Sequence, residues 1–284
     1  KKMRTEQELY DLILAFARKD VRIRVVAMNG SRANPNAPRD AFQDYDIVFL
    51  VTEMESFLAD DTWLDYFGER IIMQKPEAME LFLSNRGNRF SYLMLFEDGN
   101  RIDLSLMPLE ELEPYLKEDS ILRVLLDKDR IVPTLPESTD QDYWIKRPTP
   151  GLFDDCCNEF WWLSTYVAKG LARKELPYAN AHLDLIRNQL MTMLSWQVGL
   201  EKGFTFSIGK QFKYLQQHVT DTSWQRLCAT WNAGSPEACD NSLTDILVFF
   251  REVSKNVAER LGYSYPDYDE KVSRYLERLG FRIS

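Results

Sequence analysis

The Pro-rich stretch from Lys146 to Gly151 divides the chain into two parts of different pattern, and that change limits the possible folds more than any other feature. Before it, short β-rich runs alternate with helical segments; after it, apolar spacing is helical and strand signals are few. The expected class is α+β, with two domains, 1–147 and 148–284. The first carries a mixed β-sheet flanked by helices and the second is a helical bundle. With 284 residues, each part is long enough to bury its own core.

Within the first part, Glu6 to Arg18 places Leu9, Leu12, Ile13, Leu14 and Phe16 as an amphipathic opening helix would. Arg22 to Met28 and Tyr45 to Val51 read as strands. Ser91 to Phe96 and Arg101 to Met107 flank Asp98-Gly99-Asn100, a turn whose residues tolerate positive φ, so the two runs should pair antiparallel. In the second part, Phe153 to Ala172, His182 to Leu200, Leu243 to Arg260 and Tyr268 to Leu279 read as helices. Trp161, Trp162, Trp196 and Trp224 are expected to be core residues, since large aromatics dominate buried contacts.

Composition excludes several function classes. A net charge of −9 repels polyanions and favours a cationic partner, so a nucleic acid is not expected. No apolar run approaches the roughly 18 to 20 residues of a membrane helix, and Lys1 to Tyr10 is charged where a signal peptide would be apolar; a cytoplasmic protein without a membrane partner is expected. Four irregularly spaced cysteines (Cys156, Cys157, Cys228, Cys239) give no disulfide framework. His182 and His218 are the only histidines, with no zinc-ligand spacing and no nucleophile context for a hydrolase triad.

The chemistry is concentrated between Met28 and Leu50. Gly30-Ser31 ends a strand, and a glycine beside a serine lets backbone approach a phosphate while a hydroxyl and an N–H grip it. After twelve intervening residues come Asp44 and Asp46, which project from one face of a strand. Two carboxylates this close repel unless a cation intervenes, the arrangement a hard divalent ion requires. Arg101 to Leu106 alternates so that Ile102, Leu104 and Leu106 share one face and Asp103 lies on the other. If that strand neighbours Tyr45 to Val51, Asp44, Asp46 and Asp103 form one patch able to hold magnesium against a triphosphate.

Asn29-Gly30-Ser31-Arg32 followed by Asp44-Tyr45-Asp46-Ile47-Val48 resembles the signature of the polymerase-beta-type nucleotidyltransferases. Gly30 to Asn34, Phe42 to Asp46, Arg101 to Leu104 and Pro148 to Phe153 together resemble the bacterial aminoglycoside 6-adenylyltransferases that inactivate streptomycin. The resemblance implies a nucleotidyltransferase domain followed by a helical substrate-binding domain, with ATP and streptomycin as partners and Mg2+ as cofactor. It implies in-line attack of a streptomycin hydroxyl on the α-phosphorus, without a covalent enzyme intermediate. Gly30 and Ser31 would hold the β and γ phosphates, with Arg32 assisting, and Asp44 and Asp46 would bind the metal. Asp103 would ligate the metal or take the acceptor proton, with general base the preferred role.

In the second part, Gly209-Lys210-Gln211-Phe212-Lys213 fails as a P-loop, because the gap from Gly203 is too long and Gln211 stands where Ser or Thr belongs. What remains is Lys210 and Lys213 on an expected helix, a pair that related enzymes use to reach the triphosphate and that also occurs on solvated faces. A guanidinium-bearing drug calls for carboxylates beside aromatic rings, and Glu159 and Asp184 are the candidates. The competing expectations are a nucleotidyltransferase acting on a protein or RNA acceptor, which the acidic charge disfavours, and a nucleotide sensor without catalysis.

Overall fold

The apolar run after Asp46 becomes strand β2 (Tyr45–Val51), inside a six-stranded mixed sheet. The computed structural model describes residues 1–83 and 87–283, which fall into two units, Lys1–Asp142 and one beginning at Tyr143. The division precedes the Pro-rich stretch because Trp144 bridges to Ser207 and the Ile145 N–H donates to the Phe206 carbonyl, which ties these residues to the later unit.

The first unit opens with α1 (Glu6–Lys19), started by a reciprocal cap between Thr5 and Glu8. Leu9, Ile13 and Ala17 supply its buried stripe. The strands are β1 (Ile23–Asn29), β2, β3 (Arg70–Gln74), β4 (Phe90–Phe96), β5 (Arg101–Pro108) and β6 (Arg123–Asp127), ordered β3-β4-β5-β2-β1-β6. β4 and β5 form the expected antiparallel hairpin across Asp98-Gly99-Asn100. Among the described residues, the one parallel pairing joins β2 to β5. Strands β3 and β6 were not apparent in the sequence: β3 is largely exposed, so no alternation marks it, and β6 is short. Two short helices, α2 (Met54–Leu58) and α3 (Leu112–Tyr115), lie between strands.

Alternation along the strands sorts side chains onto two faces. Val26, Met28, Tyr45, Ile47, Phe49, Ile102, Leu104 and Leu106 pack with α1. Val25, Ala27, Val48, Leu50 and Met107 form a smaller core with Leu112, Tyr115 and Leu122. That second face carries the acids.

The second unit contains α4 (Pro150–Ala172), α5 (Leu176–Lys202), α6 (Asp221–Ala229), α7 (Pro236–Leu261) and α8 (Tyr268–Arg278). Pro residues in the first turns of α4, α5 and α7 start these helices ahead of their expected positions, since Pro needs no hydrogen-bond acceptor there. Phe160 stacks on Phe250 at 3.7 Å beside buried Trp161. Trp196 is buried as expected and Trp224 half-buried, but Trp162 is 60% exposed. No helix of the described residues is long and apolar enough to cross a membrane.

Candidate active site

β1 ends at Asn29 and the chain leaves the sheet through Gly30, whose φ of 73° and ψ of −166° belong to a region essentially reserved for glycine. A Cβ at this position would also lie 2.7 Å from Cγ of Asp46, and closer still to its Oδ2. Backbone and carboxylate therefore meet with no room between them, across the register pair Asn29 and Asp46. Ser31 begins a single 3-10 turn, Ser31–Ala33, closed by the Ala33 N–H on the Gly30 carbonyl at 3.1 Å. The N–H groups of Ser31 and Arg32 fall outside that ladder, the kind of donor that phosphate oxygens use.

The adjacency on which the acidic patch depends is present. Asp46 and Asp103 are register partners in the parallel pairing of β2 with β5, so their side chains share a face, and Asp44 precedes Asp46 by two residues. Arg101 shares that face as well. Its Nε and Nη2 each donate to Asp103 at 2.8 Å, and its Nη1 stands 3.6 Å from Asp44. Burial pushes the Asp44 carboxyl above its ordinary value; Arg101 opposes the shift and the Asp103 charge reinforces it. Pairing with Asp103 raises the Arg101 guanidinium.

Three carboxylates with only oxygen donors suit a hard divalent ion. Their present side-chain positions do not form a closed cage: among the described residues no three His, Cys, Asp or Glu are gathered closely enough to hold a metal ion. Strand register supplies the donor set, and the ion pairs of Arg101 fix how two of its members are turned.

Segment 115–138 braces the Gly-Ser turn on both sides. Before the turn, the Asn29 amide donates to the Ile121 carbonyl at 2.8 Å and accepts from the Tyr115 hydroxyl at 2.5 Å. After it, Ser138 Oγ donates to the Ala33 carbonyl at 2.7 Å and accepts the Leu122 N–H at 2.9 Å. Sequence reasoning missed Asn29, Tyr115 and Ser138 as a group because partners so far apart along the chain leave no spacing to read. Arg101 had a readable signal, its i, i+2 relation to Asp103.

Arg32 has an occupation apart from phosphate. It is buried over the Tyr45 ring at 3.8 Å, paired with Glu6, and donates to the Gln43 carbonyl at 3.0 Å. These bonds fasten the loop between Gly30 and Asp44 to α1. A cleft of about 570 Å³ borders this loop, lined by Arg32, Arg39 and Arg123 together with Leu122, Val132 and Pro133.

In the second unit, the helix expected to carry Lys210 and Lys213 is absent. Lys210–Phe212 is a 3-10 turn entered through Gly209 at φ 81°, and Gln211 and Phe212 take positive φ, 54° and 60°. Both lysines are exposed, with Lys213 near the Tyr214 ring at 5.2 Å. Glu159 is exposed on α4, three residues before Trp162, so the two are neighbours on one helical face. Trp162 donates to the Tyr166 hydroxyl at 3.2 Å, and Tyr166 and Tyr178 both contact the His182 ring. Asp184 is already engaged: it pairs with Arg187, which is buried and donates to Thr230.

Comparison with known proteins decides among the readings that this geometry allows. Residues 3–279 match the family model described as streptomycin adenylyltransferase. The chain belongs to the streptomycin adenylyltransferase family. Its members are nucleotidyltransferases, and the chain is an enzyme of that class. Relatives named aminoglycoside 6-adenylyltransferase include one from Campylobacter jejuni, 50% identical over 277 residues and covering 97% of this chain and 96% of the relative. Another, from Bacillus subtilis strain 168, is 49% identical over 279 residues, covering 98% of each. A crystal structure of an aminoglycoside 6-adenyltransferase from Bacillus subtilis is 45% identical, covers 99% of this chain and 100% of its own, and superposes with a TM-score of 0.50. The mixed sheet and helical second unit seen here are thus the α+β architecture of the streptomycin adenylyltransferase family.

Proposed function

We propose that the enzyme transfers AMP from Mg-ATP to a hydroxyl of streptomycin, releasing pyrophosphate and conferring resistance to the drug. The observation that carries the chemistry is the register of β2 with β5, which sets Asp46 beside Asp103 on one face, with Asp44 two residues away and the Gly30 turn against Asp46. The names of the relatives support the acceptor class and the 6-position.

Asp44, Asp46 and Asp103 would hold magnesium, which neutralises the triphosphate and favours the attacking oxygen. Gly30 and Ser31 bind the β and γ phosphates through backbone N–H groups and the serine hydroxyl. The hydroxyl oxygen forms a bond to the α-phosphorus, the bond to the β-phosphate oxygen breaks, and pyrophosphate leaves. Asp103 takes the hydroxyl proton. Glu159, beside exposed Trp162, offers a carboxylate and an aromatic face to the guanidinium groups of the drug. The setting is cytoplasmic, where ATP is abundant.

The test incubates the purified chain with ATP, magnesium and streptomycin and measures pyrophosphate, with spectinomycin and kanamycin as comparison acceptors. Streptomycin-dependent release is expected. Its absence in folded, ATP-binding protein overturns the assignment.

A further inference from the structure

Arg101 stands where a cation is wanted. It opens β5 two residues before Asp103 and lies on the same face as the three acids. Its planar fork takes Asp103 with two bonds of 2.8 Å and reaches to 3.6 Å from Asp44, so one guanidinium serves two of the three carboxylates. The arginine side chain is 43% exposed, which makes the pair weak enough to be displaced.

Resting on the assignment of Asp44, Asp46 and Asp103 as magnesium ligands, we propose that Arg101 is a positioning residue that engages two of the carboxylates the metal would use. It holds Asp103 and Asp44 as a built-in counter-cation until the magnesium nucleotide arrives and displaces it. Metal alone must then compete with the guanidinium for both carboxylates, and the site favours loading of the metal together with the triphosphate over loading of the bare ion. The fork geometry matters as well as the charge: a lysine ammonium is a point charge and does not take Asp103 by two parallel bonds while reaching Asp44.

The experiment titrates the full chain with Mn2+ and follows the free ion by electron paramagnetic resonance, alone and with a nonhydrolysable ATP analogue. Arg101→Gln should bind Mn2+ alone about two- to five-fold more tightly than wild type, the upper part of the range that removal of one exposed ion pair amounts to. Arg101→Lys should also bind more tightly than wild type, because it keeps the charge and loses the fork. Unchanged or weaker binding in Arg101→Gln overturns the proposal, as does an Arg101→Lys that equals wild type while Arg101→Gln tightens, since bare charge then accounts for the effect. Asp46→Asn is run beside them with the analogue: if it binds Mn2+ like wild type, the ligand assignment itself fails, whatever the Arg101 variants do. Thermal melting of each variant establishes that it is folded.

Discussion

Gly30 and Asp46 are in such close apposition that position 30 has no space for a side chain: a Cβ there would stand 2.7 Å from the carboxylate carbon of Asp46. The turn that would grip phosphate and the acid that would hold metal are therefore one structural unit. Glycine is required twice over, for that contact and for its backbone angles.

Gly30→Ala should thus damage both functions together. The angles cost roughly 1–3 kcal/mol for any other residue, and Asp46 must also be pushed aside. We expect the melting temperature to fall and kcat/KM to drop by more than the loss of folded protein explains; a steady-state assay on the folded fraction checks this.

Asp46→Asn removes charge without changing shape. Turnover should be lost while circular dichroism and melting stay close to wild type. Asp103→Asn should slow transfer by roughly 100-fold or more at neutral pH, as loss of a general base does. Near-normal turnover in this variant, measured as pyrophosphate release, would refute the base assignment.

Tyr115→Phe deletes the hydroxyl that holds Asn29. The group is buried, and burial pushes its ionisation well above the ordinary tyrosine value, so it is a neutral donor at working pH. About 1 kcal/mol of stability should be lost, the usual net worth of such a bond. Because Asn29 directly precedes Gly30, KM for ATP should rise while KM for the drug stays constant; initial rates with each substrate varied in turn separate the two.

Asp98 anchors the turn before β5, the strand that carries Asp103. Burial alone would raise its carboxyl, but hydrogen bonds from the Arg4 side chain and backbone and from Asn100 outweigh burial and hold it far below the usual carboxylate range. A depressed folded value means the stabilisation is complete above about pH 4, where an unfolded aspartate is ionised. It is lost as pH falls towards the folded value. Asp98→Asn should cost about 2 kcal/mol near neutrality, the worth of hydrogen bonds to a charged, half-buried group. Thermal melts from pH 7 downward should show the gap between variant and wild type closing in acid.

Much of the site was legible because local rules write it. Alternation placed Ile102, Leu104 and Leu106 on one face and left Asp103 on the other, and the Asp-Gly-Asn turn fixed the β4–β5 hairpin. The same reasoning failed at Lys210 and Lys213, where a lysine spacing suggested a helix and positive φ at Gln211 and Phe212 gives a turn. It also gave Arg32 to phosphate without seeing Glu6 and Tyr45, which lie far away or across a loop and claim its guanidinium.

By itself the sequence determined the strands that carry the site and the donor set: a glycine where the backbone must turn, and carboxylates two residues apart where a strand begins. Only the tertiary structure decided that β2 pairs in parallel with β5, that Asp46 meets Asp103, and that Tyr115 and Ser138 brace the turn. The reason is physical. Periodicity records which face a residue occupies along its own strand, whereas the choice of neighbouring strand and its register follows from packing among residues far apart in the chain.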